Sequence, residues 1–127
     1  MIPKFRAYDG GSLCRMYSPE EVMVGNGDIW IIDEDGVAGE WLVNNDLVLM
    51  QSTGLTDKNG KEIFEGDVVK MAKNVYSEPT NYEIVRHRGG AYRLESKQYG
   101  CELWLRHTDC EIAGNIYENP ELLEVSS

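Results

Sequence analysis

Basic and aromatic side chains alternate in the second half of the chain, a pattern suited to binding single-stranded nucleic acid. Cationic groups contact phosphates while aromatic rings stack on bases. Residues 86–107 hold five Lys or Arg against two carboxylates, Glu95 and Glu102. The candidate anion contacts are Arg86, Arg88, Arg93, Lys97 and Arg106, interleaved with Tyr82, Tyr92, Tyr99 and Trp104. The whole chain carries a net charge of −10, which repels a polyanion, so nucleic-acid binding is the alternative function rather than the preferred one.

Cysteine and histidine residues near the C-terminus have the donor types of a zinc site. Zinc takes four N or S ligands, and structural sites usually supply them in tight pairs such as Cys-x-x-Cys. Cys101, His107 and Cys110 lack that spacing, and a fourth ligand would have to be the distant His87. Thiols that pack as small apolar groups are the better interpretation. The loops 33–36 and 57–60 also lack the ligand positions of an EF-hand, so we predict no metal and no cofactor.

Catalysis by paired carboxylates or by a cysteine nucleophile has little support. Close acidic pairs occur at 20–21, 62/65 and 118/121, but 22 acids in 127 residues produce such pairs by chance, and a solvated face explains them. Neither Cys14 nor the other two cysteines is flanked by a nucleophile motif. We therefore expect a protein that is not an enzyme.

Two tryptophans in the first half, Trp30 and Trp41, are the candidate interaction residues. The short strands around them offer little volume in which to bury two indole rings. An exposed Trp is typical of an interface hot spot, and short β-strands have edges that extend a neighbouring sheet. Binding of a protein partner, or of a second copy of the chain, is the preferred function.

Short strands separated by Gly or Asn turns must position these residues. Strands recur at spacings of roughly 8 to 12 residues, which predicts a mainly β fold of the barrel or sandwich type rather than βαβ units. Single helical turns are expected at 18–21 and 119–123, where a Ser or Asn precedes Pro. The predicted strands are 2–8, 13–17, 28–32, 39–43, 47–51, 63–64, 68–72, 82–87, 91–94, 101–105 and 111–113.

The stretch 53–69 has the clearest local geometry in the chain. Asn59-Gly60 occupies the two positions at which a type I′ hairpin turn needs positive φ. Gly66-Asp67 then redirects the chain into a strand rich in β-branched residues. A turn of this kind followed by hairpins is typical of small SH3-like barrels.

The length of 127 residues suits one integrated domain. We expect a β meander over 1–50 and an SH3-like barrel over 51–127. No apolar run reaches the roughly 18 residues of a membrane span, and the N-terminus lacks a signal-peptide pattern. Three cysteines without tight pairing fit a reducing compartment, so a cytoplasmic protein that does not bind membranes is expected.

Three segments resemble the signatures of the YopX family. They are MIPKFRAYD at 1–9, LMQSTGLTDKNGKEIFEGDVV at 49–69 and GNIYENPELL at 114–123. The resemblance implies a mostly β architecture with a C-terminal SH3-like barrel, an origin in phages or prophages of Gram-positive bacteria, and residence in the host cytoplasm. It implies no enzyme activity and no catalytic motif. The expected partner is then a phage or host protein, or a second copy.

Overall fold

The fold divides into two compact units, Met1–Gln51 and Ser52–Ser127. A computed structural model describes residues 4–11, 14–32, 40–72, 74, 76–87, 90–97 and 99–123. Strands dominate both units, which confirms the predicted mainly β class. The predicted turn at 33–36, Arg88, and the predicted tail at 125–127 lie outside these residues. Within them, no helix has the length and hydropathy needed to span a membrane.

The first unit contains two antiparallel arrays of strands. In one, β1 lies between β2 and the first part of β6. In the other, β4 lies between β3 and β5. The strands are β1 (Phe5–Asp9), β2 (Arg15–Tyr17), β3 (Val22–Gly25), β4 (Asp28–Ile32), β5 (Trp41–Val43) and β6 (Val48–Thr56), and a 3₁₀ turn at Pro19–Glu21 precedes β3.

Strand β3 was missed by the sequence analysis, which predicted only a helical turn between 18 and the glycines at 25–27. Its four residues, VMVG, show no polar alternation, so periodicity gives no strand signal. The signal that does identify it is Asn26-Gly27, where both residues have positive φ, 53° and 81°. This is the type I′ hairpin signature, and it joins β3 directly to β4.

The core of the first unit is small. Ala7, Tyr17, Ile31 and Leu47 form its buried cluster, and Val22, Ile29 and Leu49 pack against them. Glu21 fixes the chain before β3, because its carboxylate accepts the backbone N–H of Ser18 at 3.0 Å and binds Arg15 at 2.6 Å. The predicted helical turn with Ser18 at its start is thus confirmed.

The second unit is built on a five-stranded antiparallel sheet in the order β11-β10-β9-β8-β12. The last part of β6 pairs separately with β7. This arrangement is consistent with an SH3-like barrel, which stays a prediction. The elements are β7 (Glu62–Phe64), β8 (Asp67–Met71), β9 (Thr80–Arg86), β10 (Tyr92–Glu95), β11 (Gly100–Glu102), the helical turn α1 (Leu103–Arg106) and β12 (Glu111–Asn115), with 3₁₀ turns at His107–Asp109 and Pro120–Leu123.

The predicted strand 101–105 is wrong beyond residue 102. Leu103 to Arg106 form one helical turn, with Leu103 fully buried and Trp104 and Leu105 exposed. Short apolar runs fit either a strand or a helix, and here burial of alternate side chains does not occur. The core that Leu103 joins comprises Ile63, Val69, Met71, Tyr82, Ile84, Leu94, Leu103 and Cys110.

The turn at Asn59-Gly60 forms, but it is not of type I′. Gly60 has φ of +82°, whereas Asn59 keeps an ordinary negative φ. The Asp57 N–H donates to the Lys61 carbonyl at 2.8 Å and the Gly60 N–H to the Asp57 carbonyl at 3.0 Å, so the loop has three residues. A type I turn followed by a left-handed glycine closes such loops, and the Asn-Gly pair fits that class as well.

Asp57 explains why this turn is shaped differently. Its buried carboxylate accepts the N–H groups of Asn59 and Lys61 at 2.9 Å each, and that of Ile112 at 3.0 Å. Burial disfavours the charged carboxylate, but these three donors outweigh it and lower the pKa of Asp57. One side chain therefore holds the 57–61 loop against β12.

Gly66 and Asp67 start β8 as predicted. Gly66 has φ of +87°, and its N–H and carbonyl bond to Ile84 and Ile116. The buried Asp67 carboxylate accepts the Phe64 N–H at 2.8 Å. The signature segment 49–69 thus encodes two buried carboxylates that tie turns to strands.

Candidate interaction surface

Trp30 and Trp41 lie on the same face of the β3-β4-β5 sheet. Trp30 lies opposite Met23 on one side and Val43 on the other, and Trp41 lies opposite Ile32. Directly opposed residues of antiparallel strands point to the same face, as do residues two apart along a strand. The strand register therefore joins two tryptophans that are eleven positions apart in sequence.

We call this surface the tryptophan face and define it as Met23, Trp30, Ile32, Trp41 and Val43. Met23 and Val43 are 47% and 46% exposed, and the two indole rings and Ile32 are half-buried. All five side chains are apolar or aromatic. The sheet thus presents a solvent-accessible apolar surface on the side that does not carry Ile31.

The opposite face of the same sheet packs into the core. Ile31 is 7% exposed, and Val22 and Ile29 pack around it. Only the outer positions of that face remain open, with Val24 43% exposed on β3 and Leu42 49% exposed on β5. One face of the sheet therefore stabilises the unit, and the tryptophan face contributes less to its core.

Carboxylates accompany the tryptophan face. Asp28 shares its side of β4, Glu20 precedes β3 and Glu40 directly precedes β5. Residues 1–51 contain three Lys or Arg and nine Asp or Glu, a formal charge of −6. Arg15 is engaged by Glu21 at 2.6 Å and lies 4.5 Å from the ring centroid of Tyr17. The first unit is thus acidic overall, whereas the tryptophan face itself carries no charge.

The predicted nucleic-acid contacts do not share one surface. Tyr92 lies opposite Arg86, and Arg93 is the next residue along β10, so Arg86 and Arg93 project from opposite faces of the sheet. Arg93 binds two carboxylates, Glu95 at 3.2 Å and Glu102 at 2.6 Å. Its positive charge is therefore matched within its own sheet.

Two other predicted anion contacts, Arg106 and Lys97, have different surroundings. Arg106 donates to Asp109 at 2.9 Å and to the Ala72 carbonyl at 2.9 Å, and Lys97 is exposed. Of the candidate stacking rings, Tyr82 is buried against Tyr99 at a centroid distance of 6.2 Å, whereas Trp104 is 64% exposed. Arg93 and Arg106 are thus engaged in ion pairs and do not form a continuous row with the aromatic rings.

The zinc alternative considered for the cysteines and histidines has no matching arrangement among the described residues. No group of three or more His, Cys, Asp or Glu side chains is placed there to hold a metal ion. The Cys110 thiol is buried and donates to the Arg106 carbonyl at 3.3 Å, and burial raises its pKa to about 12. His107 Nδ1 lies 2.7 Å from the Thr56 carbonyl. Cys110 and His107 therefore each have a hydrogen-bond partner in the fold.

Comparison with known proteins gives the family. The sequence profile described as YopX protein matches residues 4–124. The chain belongs to the YopX protein family. A solved structure of protein EF1440 from Enterococcus faecalis is 31% identical, covers 97% of this chain and 99% of its own, and has a TM-score of 0.63. The solved YopX protein from Bacillus subtilis is 20% identical over 94% of this chain and 97% of its own, with a TM-score of 0.65. Among curated proteins no match is found.

Two of the family signatures of this YopX-family chain contain residues whose contacts hold turns against strands. The segment 49–69 contains Asp57 and Asp67, and the segment 114–123 closes the last turn over β12. Gly114 makes that closure possible, because a Cβ there would lie 2.7 Å from Asn119 Cγ and 2.9 Å from Leu122 Cδ1. The tryptophan face lies outside these two segments and outside the N-terminal one.

Sequence reasoning named the two tryptophans but missed the rest of their surface. Met23, Ile32 and Val43 belong to the tryptophan face only through the register of three strands, and β3 itself was not predicted. The Asn26-Gly27 hairpin signal would have placed Met23 opposite Trp30. Nothing in the sequence fixes the pairing of β4 with β5 across residues 33–40.

Proposed function

We propose that this protein is a non-enzymatic phage or prophage accessory protein of the host cytoplasm. It acts by binding another protein through the tryptophan face. The observation that carries the proposal is that Trp30 and Trp41 lie on one face of a single sheet. Met23 and Val43, on the outer strands of that face, are exposed. Tryptophans that share a surface supply the large contact area typical of hot spots.

The chemistry around the tryptophan face defines the partner. The face itself is uncharged, so its occupant presents apolar side chains at the centre. The first unit, which carries this face, has a formal charge of −6, so a partner surface that also presents Lys and Arg is favoured by long-range attraction. We therefore propose a basic protein surface with an apolar centre.

Val43 and Val24 provide a matched pair of variants for the test. They have the same side chain and nearly the same exposure, 46% and 43%, but project from opposite faces of the sheet. Both lie at sheet edges, so a glutamate at either position reaches water without disturbing the core. Only Val43→Glu places a charge in the tryptophan face.

The experiment begins with capture by the tagged protein from nuclease-treated lysate of its bacterial host. The retained protein is then purified, and its Kd is measured by isothermal titration calorimetry against the wild type, Val43→Glu and Val24→Glu. We expect Val43→Glu to weaken binding at least about tenfold, equivalent to about 1.4 kcal/mol, and Val24→Glu to stay within about twofold. Equal affinity of all three proteins contradicts the proposal.

Nucleic-acid association through the 86–106 window is the alternative function. Arg86 and Lys97 are exposed, which favours it, although the pairing of Arg93 with two carboxylates does not. Binding of this kind weakens steeply with salt and disappears with nuclease. Lys97→Glu would then reduce affinity for single-stranded DNA, whereas Val43→Glu would leave it unchanged.

A further inference from the structure

Strand β5 is an edge strand in the described part of the chain. It pairs with β4 on one side, and the sheet order β3-β4-β5 ends with it. An edge strand presents unpaired N–H and C=O groups, which are a template for another strand. The composition of β5, Trp-Leu-Val, makes this edge apolar on both faces.

The hydrogen-bond pattern shows which groups face outward. The Asn44 N–H donates to the Ile29 carbonyl at 2.8 Å, so Asn44 points its backbone groups toward β4. Backbone groups alternate in direction along a strand, and Leu42 therefore also points toward β4. Trp41 and Val43 point their N–H and C=O groups to the free edge.

Among the described residues, no lysine, proline or β-bulge lies on this edge. Natural edge strands are commonly shielded by Lys, Pro or a β-bulge. The second unit has such features, since β12 contains a register shift between Ile112 and Gly114, and β11 carries Glu102. Strand β5 has no charge and no proline, and its pairing with β4 is regular.

We propose that a second copy of this chain adds to β5 in antiparallel orientation, with a two-fold axis at Leu42. Trp41 of each copy then lies opposite Val43 of the other. The backbone N–H and C=O groups of both residues point to the edge. Each pair of Trp41 with Val43 therefore exchanges two backbone hydrogen bonds, which satisfies all the outward backbone groups of the strand. Leu42 meets Leu42 of the second copy as the closely spaced, non-hydrogen-bonded pair.

The self-complementarity of this register is the reason to choose a second copy. Each apolar residue meets an apolar residue, and Glu40 falls opposite Asn44 rather than another carboxylate. Isologous pairing about a two-fold axis is the commonest form of oligomer in soluble proteins. The two tryptophan faces become adjacent parts of one larger sheet and remain open, so this inference does not depend on the proposed basic partner.

A charge swap at Leu42 tests the pairing. Leu42 is 49% exposed, so Leu42→Glu and Leu42→Lys are compatible with folding. Each variant alone places like charges directly opposite each other across the axis, which is destabilising. An equimolar mixture places Glu opposite Lys. Val24→Glu is the control, because it puts the same charge on the same face at the other edge of the sheet.

The oligomeric state is measured by sedimentation velocity over a concentration series, with far-UV circular dichroism to verify folding. We expect a wild-type dimer, a dimer of Val24→Glu, monomers of each Leu42 variant, and a 1:1 heterodimer in their mixture. A monomeric wild type at all concentrations overturns the inference. So does dimerisation that Leu42→Glu leaves intact, or a mixture that stays monomeric.

Discussion

Replacing Asp57 by Asn removes one charge from a carboxylate that accepts three backbone hydrogen bonds, while changing its shape little. Asp57 Oδ1 accepts the N–H groups of Asn59 and Lys61, and Oδ2 accepts that of Ile112. An amide retains the first oxygen but replaces the second by an NH₂ group. That group meets the Ile112 N–H, so a buried donor loses its acceptor.

The expected loss follows from these contacts. A hydrogen bond to a charged group contributes about 1.5–3 kcal/mol, and the two remaining bonds weaken because the acceptor becomes neutral. We predict that Asp57→Asn lowers the free energy of unfolding by about 2–3 kcal/mol at pH 7. Asp46→Asn, at an exposed turn position, is the control and should change it by less than about 0.5 kcal/mol.

The pH dependence of the stability difference between wild type and Asp57→Asn is an independent test. The pKa of Asp57 is lowered in the folded state. Its stabilisation is therefore complete above the unfolded value of about 3.9 and is lost as the pH falls through the folded pKa. The difference between wild type and Asp57→Asn should shrink in acid.

Urea denaturation followed by far-UV circular dichroism measures this difference at pH 7 and across the acid range. Native-state hydrogen exchange of the Asn59, Lys61 and Ile112 amides localises it. Asp57→Asn should accelerate exchange at Ile112 most, because that amide loses its acceptor. A variant as stable as the wild type, or a difference that grows in acid, would show that the Asp57 charge does not stabilise the fold.

Variants at three further positions test other parts of the fold. Gly60→Val should cost about 1–2 kcal/mol in urea denaturation, because φ is +82° and no atom lies within 4 Å of the new Cβ, so backbone strain alone acts. Gly60→Asn should cost clearly less, and equal losses would mean that φ is not the cause. Gly114→Ala should destabilise by about 1–3 kcal/mol, since its Cβ overlaps the Asn119 side chain, and an unchanged Tm would show that the last turn is not packed there. Burial and the neighbouring Glu95 raise the pKa of Glu83, so the penalty for its charge is absent in acid and complete above the folded pKa. Glu83→Gln should therefore raise the Tm at pH 8 but not at pH 4, and the opposite order would contradict this assignment.

The sequence predicts the elements whose local signals are strong. Strand β8 is rich in β-branched residues, and β9 and β10 alternate around a glycine turn, so all three were placed within about two residues. The predicted strand 101–105 is wrong beyond residue 102, because the short apolar run from Leu103 to Leu105 has no periodicity that separates strand from helix.

Side-chain ties and cross-strand registers are beyond single-sequence reasoning. In sequence, Asp57 looks like an ordinary turn carboxylate. Only the structure shows that it accepts the N–H of Ile112, which is fifty-five residues away. The tryptophan face requires β3 and β5 to pair with β4 in one specific register, and a slip of one residue would exchange the two faces of the slipped strand. The family signature at 49–69 includes Asp57 and Asp67, whereas the tryptophan face lies outside all three signatures.

Acrylamide quenching of tryptophan fluorescence tests the proposed binding face most directly. The chain has three tryptophans, so in a Trp104→Phe background only Trp30 and Trp41 report. Saturation with the captured basic partner should lower the quenching constant of these two indoles, because the partner shields them from solvent. An unchanged quenching constant at saturation would show that the partner binds elsewhere and would contradict binding through the tryptophan face.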